Sequence, residues 1–209
     1  MRELILNKDY AGIRKAISAN PKLASEGIML EGETTNKAHP LHRICDFVFS
    51  KKLTDEEAVK IAQIYLEFGA DVNGYPLVIM KDTPLLAASS LHADLVAVLY
   101  INHQANIHHQ GCHGGTALHW ASWCGRDMLV KRLISEGAII DKRCIDFQST
   151  PLFWAVKSYE ESADKLHQLE CIKLLIHAGA DKDIPNAWGD TIYSMIKAED
   201  LELKKILSN

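Results

Sequence analysis

The side chains best suited to chemistry gather in two places: the run His108-His109-Gln110-Gly111-Cys112-His113, and the pair His42 and Cys45, a His-x-x-Cys. Imidazole and thiolate are zinc ligands, but zinc asks for four convergent groups, usually as two separated pairs. Neither cluster has that spacing, and the run is expected on a solvent-facing turn, so no metal is expected. The five cysteines are odd in number and lack the paired spacing of a disulfide scaffold, which predicts free thiols. Cys45 and Cys171 fall in apolar positions where Cys behaves as a small hydrophobe, while Cys112, Cys124 and Cys144 are expected toward solvent. No histidine is placed to activate a thiol. There is no glycine-rich phosphate loop after a strand and no convincing carboxylate pair. Neither catalytic residues nor a cofactor are expected.

Composition narrows the class further. With 47% hydrophobic and 24% charged residues, six Pro and twelve Gly, the 209 residues resemble an ordinary globular chain able to bury a core without metals or disulfides. A net charge of -4, with Lys and Arg scattered among acids, gives no stripe to neutralise phosphates, so nucleic acid is not expected as a partner. No run of about 18 apolar residues suggests a membrane span, and the opening residues carry no signal-like apolar region. The expectation is a cytoplasmic protein, or one secreted without a cleaved signal peptide, acting as a monomer.

The elements that must carry these residues are set by internal repetition. His39-Pro40-Leu41-His42, Thr83-Pro84-Leu85-Leu86, Thr116-Ala117-Leu118-His119, Thr150-Pro151-Leu152-Phe153 and Thr191-Ile192-Tyr193-Ser194 share one phase, at spacings of 44, 33, 34 and 41. Gly69-Ala70, Gln104-Ala105, Gly137-Ala138 and Gly179-Ala180 form a second set, at 35, 33 and 42. Thr is a good helix N-cap and Pro suits the next position, so each Thr-Pro opens an inner helix. Gly can take the left-handed conformation that ends the outer helix. Gln104 must accept strain there or end its helix differently.

A period near 33 with Thr-Pro-Leu-His and a later Gly-Ala resembles the ankyrin repeat. The resemblance implies an all-α, ankyrin-repeat solenoid of stacked helix-turn-helix repeats with β-turn fingers. It spans roughly residues 36 to 209. The expected organisation is one domain: 1–35 a degenerate capping half-repeat, 36–79 a repeat with an insertion, 80–112 and 113–145 plain repeats, 146–186 a repeat with an insertion, and 187–209 a C-terminal cap. The departures are His39 in a Thr slot, Ala117 and Ile192 in Pro slots, Gln104 in a Gly slot, and Leu86, Phe153 and Ser194 in His slots. His42 and His119 occupy the His slot, where the resemblance implies a structural hydrogen bond to backbone between adjacent turns. The excess spacing lies between inner and outer helices, around Asp46 to Glu57 and Tyr159 to Gln168. Neither stretch holds Pro or Gly, which predicts helical extensions.

The resemblance implies a protein-protein interaction module that holds a partner in a concave groove. Alternatives are a metal- or thiol-dependent activity on the repeat scaffold, and a structural subunit of an assembly. Helical spacing divides each inner helix into two faces. The second, fifth and sixth residues after the Thr slot, such as Leu118, Ala121 and Ser122, face the core. The fourth, seventh and eighth face the groove: Trp120, Trp123 and Cys124; Trp154, Lys157 and Ser158; Ala87, Ser90 and Leu91; Arg43, Asp46 and Phe47. Polar members of this set argue against its full burial. Turn residues three before the Thr slot, Met80, His113, Phe147 and Trp188, extend the strip. The expected partner-binding residues are Phe47, Leu91, His113, Trp120, Trp123, Cys124, Phe147, Trp154, Lys157 and Trp188. The alternative for Trp120 and Trp154 is that they brace adjacent repeats.

Overall fold

A computed structural model describes residues 1–29, 32, 37–162 and 165–208. The chain packs as two compact units, one of Met1–Leu77 with Asp82–Asn106, the other of Val78–Lys81 with Ile107–Asn209. Among the described residues no helix is long and apolar enough to cross a membrane.

The first unit opens with α1 (Arg2–Leu6) and α2 (Tyr10–Ala19), a 3₁₀ turn at Pro21–Ala24, and a two-stranded antiparallel ribbon, β1 (Ile28–Met29) with β2 (Lys37–Ala38). Two helical pairs follow, α3 (Pro40–Phe49) with α4 (Asp55–Glu67) and α5 (Pro84–Ser90) with α6 (Asp94–Asn102). Local chemistry places the starts. Thr83 Oγ1 accepts from the Leu86 amide at 3.4 Å, and His39, in the Thr slot, still caps α3 by accepting the Leu41 amide on Nδ1 at 3.3 Å. Thr54 and Glu57 form a reciprocal capping box, with bonds of 3.2 and 2.9 Å between each side chain and the other's amide. The Asp55 carboxylate then reaches the first turn of α6, accepting from the amides of Leu95 at 2.7 Å and Val96 at 3.2 Å. Gln104 stops the outer helix at φ 63, the left-handed region glycine would enter without strain.

The second unit holds α7 (Ala117–Trp123), α8 (Asp127–Ser135), α9 (Pro151–Glu161), α10 (Leu166–His177) and α11 (Leu201–Leu207). Inner helices α7 and α9 pack together, α10 lies against α8 and α9, and α11 against α10. The close approach of α7 and α9 is allowed by Ala121 and Ala155, both fully buried. The core face is the one the spacing predicts: Leu118, Ala121, Ser122, Leu152, Ala155 and Val156 are buried, as are Leu41, Ile44, Cys45, Leu85, Ala88 and Ser89 in the first unit. Each large aliphatic side chain so buried contributes about 1.5–3 kcal/mol.

Most of the excess residues between paired helices become helix: α3 runs 10 residues and α4 13, where α5 and α6 run 7 and 9. Likewise α9 runs 11 and α10 12; residues 163–164 of that segment, and the expected boundary at 35–36, lie outside the described residues. The last Thr-slot segment does not open an α-helix. It makes only a 3₁₀ turn at Ile192–Met195, in which Thr191 O accepts both the amide (3.1 Å) and the hydroxyl (2.7 Å) of Ser194.

Candidate protein-binding site

The site is built from three turn fingers and the two inner helices of the second unit. Each finger is closed by a backbone bond across its base: Gly111 N to Gly115 O (3.0 Å), Cys144 N to Ser149 O (2.9 Å), and Asn186 N to Asp190 O (2.8 Å). Successive fingers are joined, Asp146 N donating to His113 O at 3.2 Å and Ala187 N to Phe147 O at 2.8 Å. This ladder brings His113, Phe147 and Trp188, far apart in sequence, into one row. Their ring centroids lie 5.2 Å (His113 to Phe147) and 6.2 Å (Phe147 to Trp188) apart, with tilts of only 33° and 32°. The first two fingers approach closely only because Gly114 has no side chain: it sits at φ +66, and a Cβ there would meet Ile145 at 2.3 Å.

The helices supply the second set of rings. Trp154 is edge-on to Trp120 at 5.2 Å and 89°, and to Trp123 at 6.1 Å and 78°. Its position is fixed from behind by His119, 5.1 Å away. His119 makes the structural bond expected of it: Nδ1 accepts the Thr116 amide at 3.1 Å, and Nε2 lies 3.1 Å from Ser149 O in the next finger. The bonding implies the tautomer protonated at Nε2. Burial pushes the His119 pKa down to about 4, so the ring stays neutral. Ser158 ties the helices together by donating to Trp123 O at 2.6 Å. Gly115 keeps room for the indoles, since a Cβ on it would stand 3.0 Å from Trp154 and 3.4 Å from Trp120 Nε1.

Between the two sets lies a cavity of about 600 Å³, the size of a small-ligand pocket. His113, Trp120, Trp123, Phe147, Trp154, Lys157 and Trp188 line it, seven of the residues singled out by spacing. Exposure grades across it: Trp154 is 6% exposed and forms the floor, Trp120 and Trp123 are half-buried, and Trp188 at the rim is 70% exposed. The Trp120 Nε1 hydrogen is enclosed without an acceptor among the described residues. Trp120 and Trp154 do brace one another, so bracing and lining are served by the same pair. Cys124 is half-buried beside the cavity and does not line it.

Several expectations are corrected. Phe47 is fully buried and Arg43 is 3% exposed, so that face of α3 offers no groove. The Arg43 guanidinium donates to Ile28 O in β1 at 3.0 Å and to Asp46 at 2.8 Å, which satisfies the charge inside the fold; burial of a paired Arg is what spacing alone misread. Leu91 ends α5 in the first unit and is no part of the cavity. Cys144 is fully buried, its sulfur 3.4 Å from the Ser149 amide, and does not face solvent. His109 is also buried, 2.8 Å from Lys81 O, within a run expected to be a solvent-facing turn. Ser149, Phe153, Asn186, Asp190 and Met195 line the cavity without having been singled out. Phe153 carried a signal, an aromatic ring where the repeat has His.

A family model described as ankyrin repeats, in three copies, matches residues 52–144 and again 85–186, together more than half of the chain. The chain belongs to the ankyrin-repeat family, and its fold is the all-α stack of paired helices that the repeats imply. Among curated proteins it is similar to palmitoyltransferase ZDHHC13 of Mus musculus, 39% identical over 72 residues, covering 34% of this chain and 10% of the relative. It is also 38% identical over 74 residues to palmitoyltransferase ZDHHC17 of Homo sapiens, covering 35% and 10%. The putative palmitoyltransferase ZDHHC13 of Danio rerio is 36% identical over 74 residues, with 35% and 10% covered. The chain thus spans about a tenth of the length of these relatives.

Proposed function

We propose that this chain works by binding, not catalysis, and that the aromatic cavity of the second unit holds a segment of a partner protein. The observation that carries the reading is the gradient from buried Trp154 to Trp188, which stands 70% exposed at the rim. A large ring left in water beside an open apolar cavity is what interface anchors look like before the partner arrives. Three of the side chains with the chemistry to react are otherwise occupied. His119 is neutral and spent on two backbone bonds, and burial pushes the Cys45 and Cys171 thiols far up, away from the thiolate a nucleophile needs. The acyl transfer named for the relatives is not carried over, because the likeness covers about a tenth of each.

Affinity capture from the source cells with the unaltered chain and with Trp188→Ala tests the reading. A partner held by the first and lost by the second is the expected result. A partner retained equally by both places binding elsewhere on the chain.

A further inference from the structure

We propose that the cavity recognises a methylated lysine on the partner, its ammonium enclosed by the ring faces of Trp120, Trp123, Trp154, Phe147 and Trp188. This rests on the protein-binding reading and names the group that reading leaves open. The geometry is that of a box: Trp154 stands nearly perpendicular to Trp120 and Trp123, at 89° and 78°, while the finger rings lean together at 32–33° as a separate wall. Aromatic faces carry negative quadrupole density, and rings meeting at right angles surround a cation from several sides at once.

Charge points the same way. Asp190 is the carboxylate among the lining residues, and Asp146 backs the wall by binding His113 Nδ1 at 2.9 Å. Lys157 is the lining cation, and its ammonium is matched by Glu161 at 2.9 Å. The wall also explains why methylation matters. An unmodified ammonium needs hydrogen-bond acceptors to replace its water, and the indole and phenyl walls present ring faces in their place. A trimethylated ammonium has no N–H to satisfy, sheds its water readily and keeps its charge. The cavity volume of about 600 Å³ exceeds one such head group, leaving space for the residues flanking it on a peptide.

The test uses the full chain and three short peptides of one sequence, with a central lysine, trimethyl-lysine, or the uncharged tert-butyl isostere, followed by indole fluorescence or tryptophan side-chain NMR. The trimethylated peptide should bind about tenfold or more tighter than either control, and Trp188→Ala should remove about tenfold of that affinity with an unchanged circular dichroism spectrum. Equal binding of the tert-butyl peptide would overturn the cation assignment. It would leave the protein-binding reading standing, because the cavity would still hold a peptide. No selective binding by any peptide, with a cellular partner still lost on Trp188→Ala, overturns the methyl-lysine assignment alone. Free choline binding as tightly as the trimethylated peptide would overturn the assignment to a partner's side chain.

Discussion

The outward face of an inner helix meets opposite fates on α3 and on α7. On α3 the fourth and eighth residues after the slot, Arg43 and Phe47, are buried, with β1 bound to the guanidinium. On α7 the fourth and seventh, Trp120 and Trp123, stay half-buried and open into a cavity. The fourth position, Arg43 on one helix and Trp120 on the other, is common to both, so place along the helix is not the cause. The neighbours differ: on α3 the Arg43 side chain is drawn in by Ile28 O of β1 and by Asp46, whereas beside α7 three fingers stand and leave a gap. A face set by helical period is an opportunity, and what is laid across it decides whether it becomes core or site.

Phe47 is the residue on which the closed face of α3 depends most. If that face of α3 is core, Phe47→Ala should destabilise the chain by about 3–5 kcal/mol in denaturant unfolding. A loss under about 1 kcal/mol would mean the face is open after all.

Acid tests both units at once. His39 and His119 have pKa values lowered to about 4 by burial. The unfolded state therefore binds protons that the folded state refuses, and stability falls as pH drops from about 6.5 toward about 4. Each ring accounts for up to about 3 kcal/mol over that window. Replacing His119 by Gln should flatten the dependence measured by urea unfolding at several pH values, whatever it does to stability at pH 7; an unchanged slope would show that His119 is not held neutral.

Smaller effects are expected in the cavity itself. Trp123→Ala removes an edge-on pair with Trp154, worth about 0.5–1.5 kcal/mol of stability, and should weaken partner binding by about 2 kcal/mol or more. Trp188→Ala should shift stability by no more than about 0.5 kcal/mol, as exposed positions do, while binding falls by a similar 2 kcal/mol or so. Calorimetric melting beside a binding titration separates the two quantities. A large melting shift for Trp188→Ala would make the row of finger rings structural.

The repeats were legible because their landmarks are local. Thr, or His39 in its place, must reach an amide two or three residues on, and glycine or Gln104 must turn left-handed at a helix end; each requirement is met within one turn of chain. Helical period likewise separated Leu118, Ala121 and Ser122 from Trp120, Trp123 and Lys157. Tertiary structure alone decided the rest, since exposure depends on what arrives from elsewhere in the chain. The Arg43 partner, Ile28 O, is 15 residues away, His113 meets Asp146 across 33, and the bond between Ala187 and Phe147 that sets Trp188 at the rim spans 40. Side-chain type and period state which residues share a face. Only distant backbone, brought close by packing, determines whether that face is covered, and so whether its rings serve as core or as a site.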